Sequence, residues 1–247
     1  MTPRITIAMA RRVLLQIRHD HRTLMMLLVL PTVMLTLLWW MFQDTGGVGF
    51  DTLGPSLLAL IPVIVMFLVT SVTMLRERTS GTLERLLSMP MGKLDLLLGY
   101  AIAFGLMATL QSVLAVLVSV YWFDLQVAGP IWMLLLVAVV VAVLGTAMGL
   151  FVSAFARTEF QAVQFMPALI TPQFLLCGLF VPRDRLPDVL SWISDLLPLS
   201  YAVDATQSVT THADGIASGV WWDLLILVGF SVGFLAFGAA TLRRRTP

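Results

Sequence analysis

Few side chains in this chain have the reactivity or spacing for chemistry, and each in turn lacks its partners. Lys93 is the only lysine, and it sits in Met91-Gly92-Lys93-Leu94. A phosphate cradle needs G-x-x-x-x-G-K-[ST], so ATP hydrolysis by that route is excluded. Cys177 is the only cysteine and lies in an apolar run, so no intrachain disulfide or thiolate metal cluster can form. His19 and His21 lie in a basic arm and His212 in a polar loop, far from any H-E-x-x-H or G-x-S-x-G pattern. No carboxylate falls in the middle of an apolar run; Asp223 stands at the end of one. A proton-coupled carrier would need such a group. Catalytic, cofactor-binding and metal-ligating residues are therefore assigned to no position.

What remains is the polar stretch Arg76 to Pro90, RERTSGTLERLLSMP, between two long apolar runs. Arg76, Glu77, Arg78, Glu84 and Arg85 are too many charges to lie in hydrocarbon. Thr79 or Ser80 offers a capping hydroxyl, Gly81 lets the chain turn, and Leu83, Leu86 and Leu87 give a short helix one apolar face. A solvated loop helix and a docking element both satisfy this pattern.

The elements that must carry this stretch follow from composition. Only 12% of the 247 residues are charged, 59% are hydrophobic and mean hydropathy is +0.94, more apolar surface than a water-soluble domain can hide. The expected class is an all-α polytopic membrane protein, one membrane domain of several helices over 1–247. The net charge of +1 gives no electrostatic support for nucleic-acid binding. Asn is absent, which removes any N-glycosylation sequon, and the scarcity of Lys and Asn suits a G+C-rich bacterial genome.

Residues 1–22 carry Arg4, Arg11, Arg12, Arg18 and Arg22, with Ile5, Met9, Val13 and Ile17 at helical spacing. This reads as an interfacial helix along an anionic leaflet, its apolar stripe in the lipid; the simpler alternative is orienting charge alone. Six spans are expected, at about 24–42, 55–75, 96–121, 131–155, 160–181 and 220–242. The fourth contains Gly145, Gly149 and Ser153, spacing that lets two helix backbones approach. The fifth is the least lipid-like: Gln161, Gln164, Ala168, Thr171 and Gly178 share a side, and Pro167 and Pro172 interrupt it. That side should face protein or a wet cavity. Between the last two spans, 182–219 holds an amphipathic helix of about three turns over Leu186 to Leu197, followed by a second short helix, Tyr201 to Val209.

Charge fixes the expected orientation. Residues 1–22, the 76–95 loop, Arg157 and the tail Arg243 to Arg245 together hold all but two of the 15 Lys and Arg; Arg183 and Arg185 are the exceptions. The excess places both termini and the 76–95 loop in the cytoplasm and 182–219 outside.

The stretch at 76–90 resembles the cytoplasmic loop of ATP-binding-cassette exporter permeases of the second type, the daunorubicin and oleandomycin drug-resistance class. Glu77, Gly81, Thr82, Leu83, Glu84, Leu86, Leu87 and Pro90 stand in the places of that family's pattern. The resemblance implies that Glu77, Thr79, Gly81, Thr82, Leu83, Glu84, Arg85, Leu86 and Leu87 form a coupling helix gripped by a separate ATPase, two copies of which carry ATP and Mg. It implies a second permease copy or a related permease. The segment after the fifth span would be external and re-entrant. Trp192, Pro198 and Tyr201 match the family there, while Leu197 stands where Asn is common and Gln207 where Arg is common. Spans one, two and five would line a cavity, nominating Trp39, Trp40, Met66, Phe67, Thr70, Gln164 and Thr171. Such a lining suits a hydrophobic or amphipathic drug or lipid. A polysaccharide or lipid-linked cargo on the same scaffold, or an ATPase-independent scaffold or intramembrane enzyme, are the alternatives. The location implied is a bacterial inner membrane.

Overall fold

The computed structural model describes residues 3–43, 49–87, 92–212 and 218–241. Within these the chain is helical: α1 (Pro3–His19), α2 (His21–Phe42), α3 (Phe50–Thr79), α4 (Thr82–Leu87), α5 (Lys93–Tyr121), α6 (Ile131–Val152), α7 (Glu159–Leu176), α8 (Asp188–Asp195), α9 (Pro198–Thr211) and α10 (Ser218–Thr241), with a short 3-10 turn at Arg183–Arg185.

In hydrocarbon, lipid tails compete for apolar surface, so helices associate through close packing rather than through escape from water. The sequence supplies that packing where α3 meets α6. A Cβ built on Gly145 would meet the Val63 carbonyl oxygen at 2.7 Å, and one on Gly149 would meet the Phe67 carbonyl oxygen at 2.6 Å. The two backbones touch there, which sinks α3 along most of its length and makes it the central strut of the bundle. The ladder at Gly145, Gly149 and Ser153 is thus an internal packing seam.

Five helices among the described residues are long and apolar enough to cross a membrane: α2, α3, α5, α6 and α10. α7, expected as the fifth of six spans over 160–181, ends at Leu176 and falls short, because Glu159, Gln161, Gln164 and Gln173 dilute its apolar residues. It nevertheless runs the length of the bundle. Glu159 at its start pairs with Arg76 near the end of α3, and Gln173 near its end meets Leu199 of α9. In turn α9 reaches the start of α3 through Gln207 and Ser56. Helix length carries α3 past the expected limit of the second span at 75, to Thr79.

The two termini of the described chain share one end of the bundle. α1 lies across this end: Thr6 meets Asp95, two residues into α5, and Arg12 and Gln16 meet Glu77, two residues from the end of α3. Near the end of α10, a Cβ on Gly238 would lie 3.6 Å from Phe151 of α6 and 3.9 Å from Leu97 of α5. The apolar stripe of α1 departs from expectation. Met9, Val13 and Ile17 are buried against α5, with Met9 filling the notch at Gly99, rather than turned to lipid. A stripe that finds a complementary protein groove gains close contacts that fluid acyl chains do not match.

Asp20 alone separates α1 from α2, and it caps α2: its carboxylate accepts from the Thr23 N–H at 3.2 Å and the Thr23 hydroxyl at 2.6 Å. The Thr23 hydroxyl bond, then the backbone bond, hold the Asp20 pKa below its usual 3.8. A carboxylate whose pKa is depressed by folding contributes stability above its unfolded value and loses it as pH falls through the folded one. Asp20→Ala should lower stability by about 1 kcal/mol at neutral pH, and the deficit should fade in detergent melts run below the ordinary Asp range.

Candidate coupling site and lateral face

The coupling stretch is built from the end of α3. Ser80 closes that helix, its N–H donating to the Arg76 carbonyl at 2.9 Å. Gly81 then turns left-handed at φ +73, with nothing within 4 Å of an added Cβ, so backbone conformation rather than space demands glycine. α4 starts at once, Arg85 N–H donating to the Gly81 carbonyl at 3.2 Å. The Ser80 hydroxyl donates to the Glu77 carbonyl at 3.4 Å, which leaves Thr82 Oγ1 to donate to Ser80 Oγ at 2.9 Å. Ser80 therefore staples the turn instead of capping α4. Thr79 Oγ1 folds back onto the Leu75 carbonyl at 3.1 Å and caps nothing either.

Leu86 is buried in the α1–α5 cluster, which ties α4 down by one side chain, while Arg85 is exposed. Of the remaining expected coupling residues, the side chains of Leu83, Glu84 and Leu87, and Pro90 entirely, lie outside the described residues, as does the tail Arg243 to Arg245.

Glu77, expected in the coupling stretch, has an internal partner. It is 9% exposed and turned inward, its carboxylate accepting from Arg12 Nη2 at 3.3 and 3.4 Å and from Gln16 Nε2 at 3.4 Å. A carboxylate near the end of a helix that is buried along most of its length needs an internal cation, and α1 brings one. Between α1, the start of α2, α3 and α4 lies a polar cavity of about 250 Å³ lined by Arg12, Asp20, Thr23, Thr73 and Thr82 among others. On the far side of α3, Arg76 makes a two-pronged ion pair with Glu159, at 2.7 and 3.0 Å. Sequence reasoning missed Arg12, Gln16 and Glu159 as partners. The available signal was that Arg12 and Gln16 sit four apart on the flank of the apolar stripe of α1.

The expected cavity lining divides. Met66, Phe67 and Thr70 are fully buried, and Phe67 and Thr70 press against Gly149, so none of the three presents a surface. The correction has a cause already noted: the small residues of α6 draw it onto that side of α3. Trp39 is half-buried, stacked at 5.0 Å on Phe123, whereas Trp40 is exposed. On α7, Phe160, Val163, Gln164, Pro167, Ala168, Thr171 and Pro172 are all exposed, at three- and four-residue spacing. The expected polar side of this helix thus faces away from the rest of its own chain. Gln161 is the exception, its Oε1 accepting from the Arg157 N–H at 2.9 Å to brace the turn.

At the opposite end, α8 is two turns rather than three, because Pro187 precedes it and Leu196 ends it. Trp192 projects outward, 73% exposed; Pro198 is buried at the first turn of α9, and the Tyr201 hydroxyl donates to the Asp195 carbonyl at 2.7 Å. Arg183 is clamped by Asp195 and Asp204 and lies over the Tyr201 ring. Burial raises the pKa of Asp204, and the adjacent guanidinium relieves this only in part. Gln207, which departs from the family pattern, donates to Ser56 Oγ at 2.9 Å.

The ABC-2 type transporter family model matches residues 4–210, from the first turns of α1 to the end of α9. The chain belongs to that family. Similar curated proteins include the probable multidrug ABC transporter permease YbhR of Escherichia coli, 27% identical over 77% of this chain and 52% of that one. The permease YbhS of the same organism is also 27% identical, over 77% and 51%. ABC transporter G family member 20 of Dictyostelium discoideum is 26% identical over 76% of this chain and 26% of its own length. The chain spans about half the length of the bacterial relatives and about a quarter of the amoebal one. As an ABC-2 permease it is a multi-pass membrane protein, and the strut α3, the turn at Gly81 and α4 all fall inside the matched region.

Proposed function

We propose that this ABC-2 permease is the membrane half of an ATP-driven exporter for a hydrophobic or amphipathic compound, a drug or lipid. It would be powered by two copies of a separate ATP-binding-cassette ATPase that hold ATP and Mg. The observation that carries the reading is the placement of α4: a short helix at the end of the most buried strut, joined to it by one left-handed glycine. A push on α4 reaches α3 through Gly81, reaches α1 and α5 through Leu86, and passes to α7 through the Arg76–Glu159 pair. The inner end also holds Arg78, whose Nε and Nη2 are buried and have no hydrogen-bond partner among the described residues.

The lateral face points to a second permease copy or a related permease. Gln164 and Thr171 on the exposed stripe of α7 would be costly against lipid, so α7 completes a sixth crossing lined by protein or by a wet cavity at the pair's axis. Trp40, Gln164 and Thr171 are the lining residues this retains. In this reading the α4 end, with both termini, faces the cytoplasm of a bacterial cell and α8–α9 lie outside the inner membrane. The relatives named as multidrug permeases favour a drug as cargo.

Capture of candidate ATPases from membranes tests the reading. Glu84→Lys combined with Arg85→Glu should reduce capture at least tenfold, while the permease accumulates and melts as before. Equal capture by the variant would remove α4 as the docking element, and absence of capture by the intact chain would favour an ATPase-independent protein.

A further inference from the structure

After α7 the chain turns at Gly178, left-handed at φ +91, and folds back so that the stem of Arg183 packs on that turn; an added Cβ would stand 3.4 Å from Arg183 Cγ. The guanidinium then reaches two further helices, Asp195 at the end of α8 and Asp204 within α9, and lies over the Tyr201 ring. Asp223, in the second turn of α10, is within electrostatic reach of both Asp204 and Arg183. One cation thus ties the end of α7 to α8 and α9 against three carboxylates, of which Asp204 and Asp223 are half-buried.

The other titratable groups on the elements packed against Asp204 are engaged, distant or exposed. α6 carries none, and α10 has only Asp223. On α3, Asp51 accepts from the Gln126 N–H, while the remaining charges of α3 and Glu159 of α7 lie at the other end of the bundle. His212 closes the far end of α9. Asp184, Arg185 and Asp188 are exposed, and the buried Cys177 thiol donates to the Phe174 carbonyl.

We infer that Arg183 and its carboxylates form an outer latch that acid fastens and rising pH releases. Burial lifts the Asp204 pKa above its usual 3.8, and Arg183 offsets this only in part. Release of Asp204 into water would remove that lift, so the latched form binds the proton more tightly and is favoured as pH falls. A protonated Asp204 still accepts from Arg183 through its carbonyl oxygen, and Asp195 keeps the guanidinium paired. At neutral pH the crowded negative charge opposes the clamp instead. The latch restrains the end of α7, whose exposed stripe faces the axis of the proposed pair, and its place on the outer side rests on the orientation proposed above. In that reading, acid outside the cell holds the exit shut.

The test places spin labels on α8 and α10 through Val189→Cys and Trp222→Cys, both exposed positions, in the full chain carrying Cys177→Ser and held in nanodiscs. From about pH 8 to about pH 5, a range in which a buried carboxylate titrates, the distance distribution should narrow to a single latched separation. Each unit by which the latched and released pKa values differ makes about a tenfold change in the ratio of the two forms. Asp204→Asn should stay latched throughout. Asp223→Asn, which eases the repulsion, should keep the response with its midpoint at lower pH, and the exposed Asp184→Asn should respond as wild type does. A distribution that ignores pH, widens in acid, or still responds in Asp204→Asn overturns the inference. Both faces of a nanodisc meet the same buffer and no ATPase is present, so failure of the exporter reading would leave these outcomes unchanged.

Discussion

Gly149→Leu should abolish accumulation of the folded permease. The Cβ alone would stand 2.6 Å from the Phe67 carbonyl oxygen and 3.1 Å from the Ser71 nitrogen, both backbone atoms of a helix that cannot bend away. Overpacking a well-fitted seam typically costs 1–3 kcal/mol, and with no flexible side chain to yield, about 3 kcal/mol or more is expected here. Separation of α6 from α3 would expose Thr70 and Ser71 to lipid as well. The readout is the yield of monodisperse protein in detergent and its melting temperature. Gly105→Leu, where nothing lies within 4 Å, is the control and should leave both near wild type.

Glu77→Leu should be the next most damaging change, and its effect should reach beyond stability. Leu removes the acceptor for Arg12 and Gln16, leaving a guanidinium at the inner end with its partner gone. Breaking a buried pair costs 3–5 kcal/mol, and because the Arg12 side chain keeps 32% of its exposure, about 2 kcal/mol is the expected loss. Arg12→Leu alone strands the carboxylate and should cost as much. The double variant Arg12→Leu with Glu77→Leu should recover a good part of both losses, since it buries no unpaired charge. A thermodynamic cycle of melts checks this, and strictly additive losses would mean that the pair is not coupled. In the proposed exporter, ATP-dependent transport should fall in either single variant even at temperatures where it stays folded, because α1 would no longer follow the end of α3.

How much of this could be read from the residues alone depends on whether the signal was local. The apolar runs marked five of the six expected spans because span length is a property of one segment, and Gly81 marked the turn because a left-handed backbone is a one-residue demand. The stripe Met9, Val13, Ile17 was equally legible as a stripe. Periodicity states that a face is apolar and never what covers it, so lipid and the Gly99 groove of α5 gave identical patterns. Glu77 misled for a related reason: a charge beside a turn looks solvated until Arg12, 65 residues earlier, is placed beside it. Met66, Phe67 and Thr70 were nominated from the family, but α3 turns them to the α6 side, and the helix face that wins that seam is set by where two glycines stand on another helix. The polar side of α7 was legible as a run of Gln, Thr and Pro among apolar residues. Its direction, away from its own chain, required the structure.

The single-residue joint at Asp20 has a further consequence. With α1 pinned at Thr6 and Gln16 and α2 starting one residue later, the two helices form a bent crank with almost no slack. Any tilt of the first span during a transport cycle must swing the arm at its base, shear the Arg12–Glu77 contact, or melt the final turn of α1. A spin label at Arg18 and another on α5 would distinguish the three by distance, and would make this elbow a gauge of motion inside the membrane that can be read from the water side.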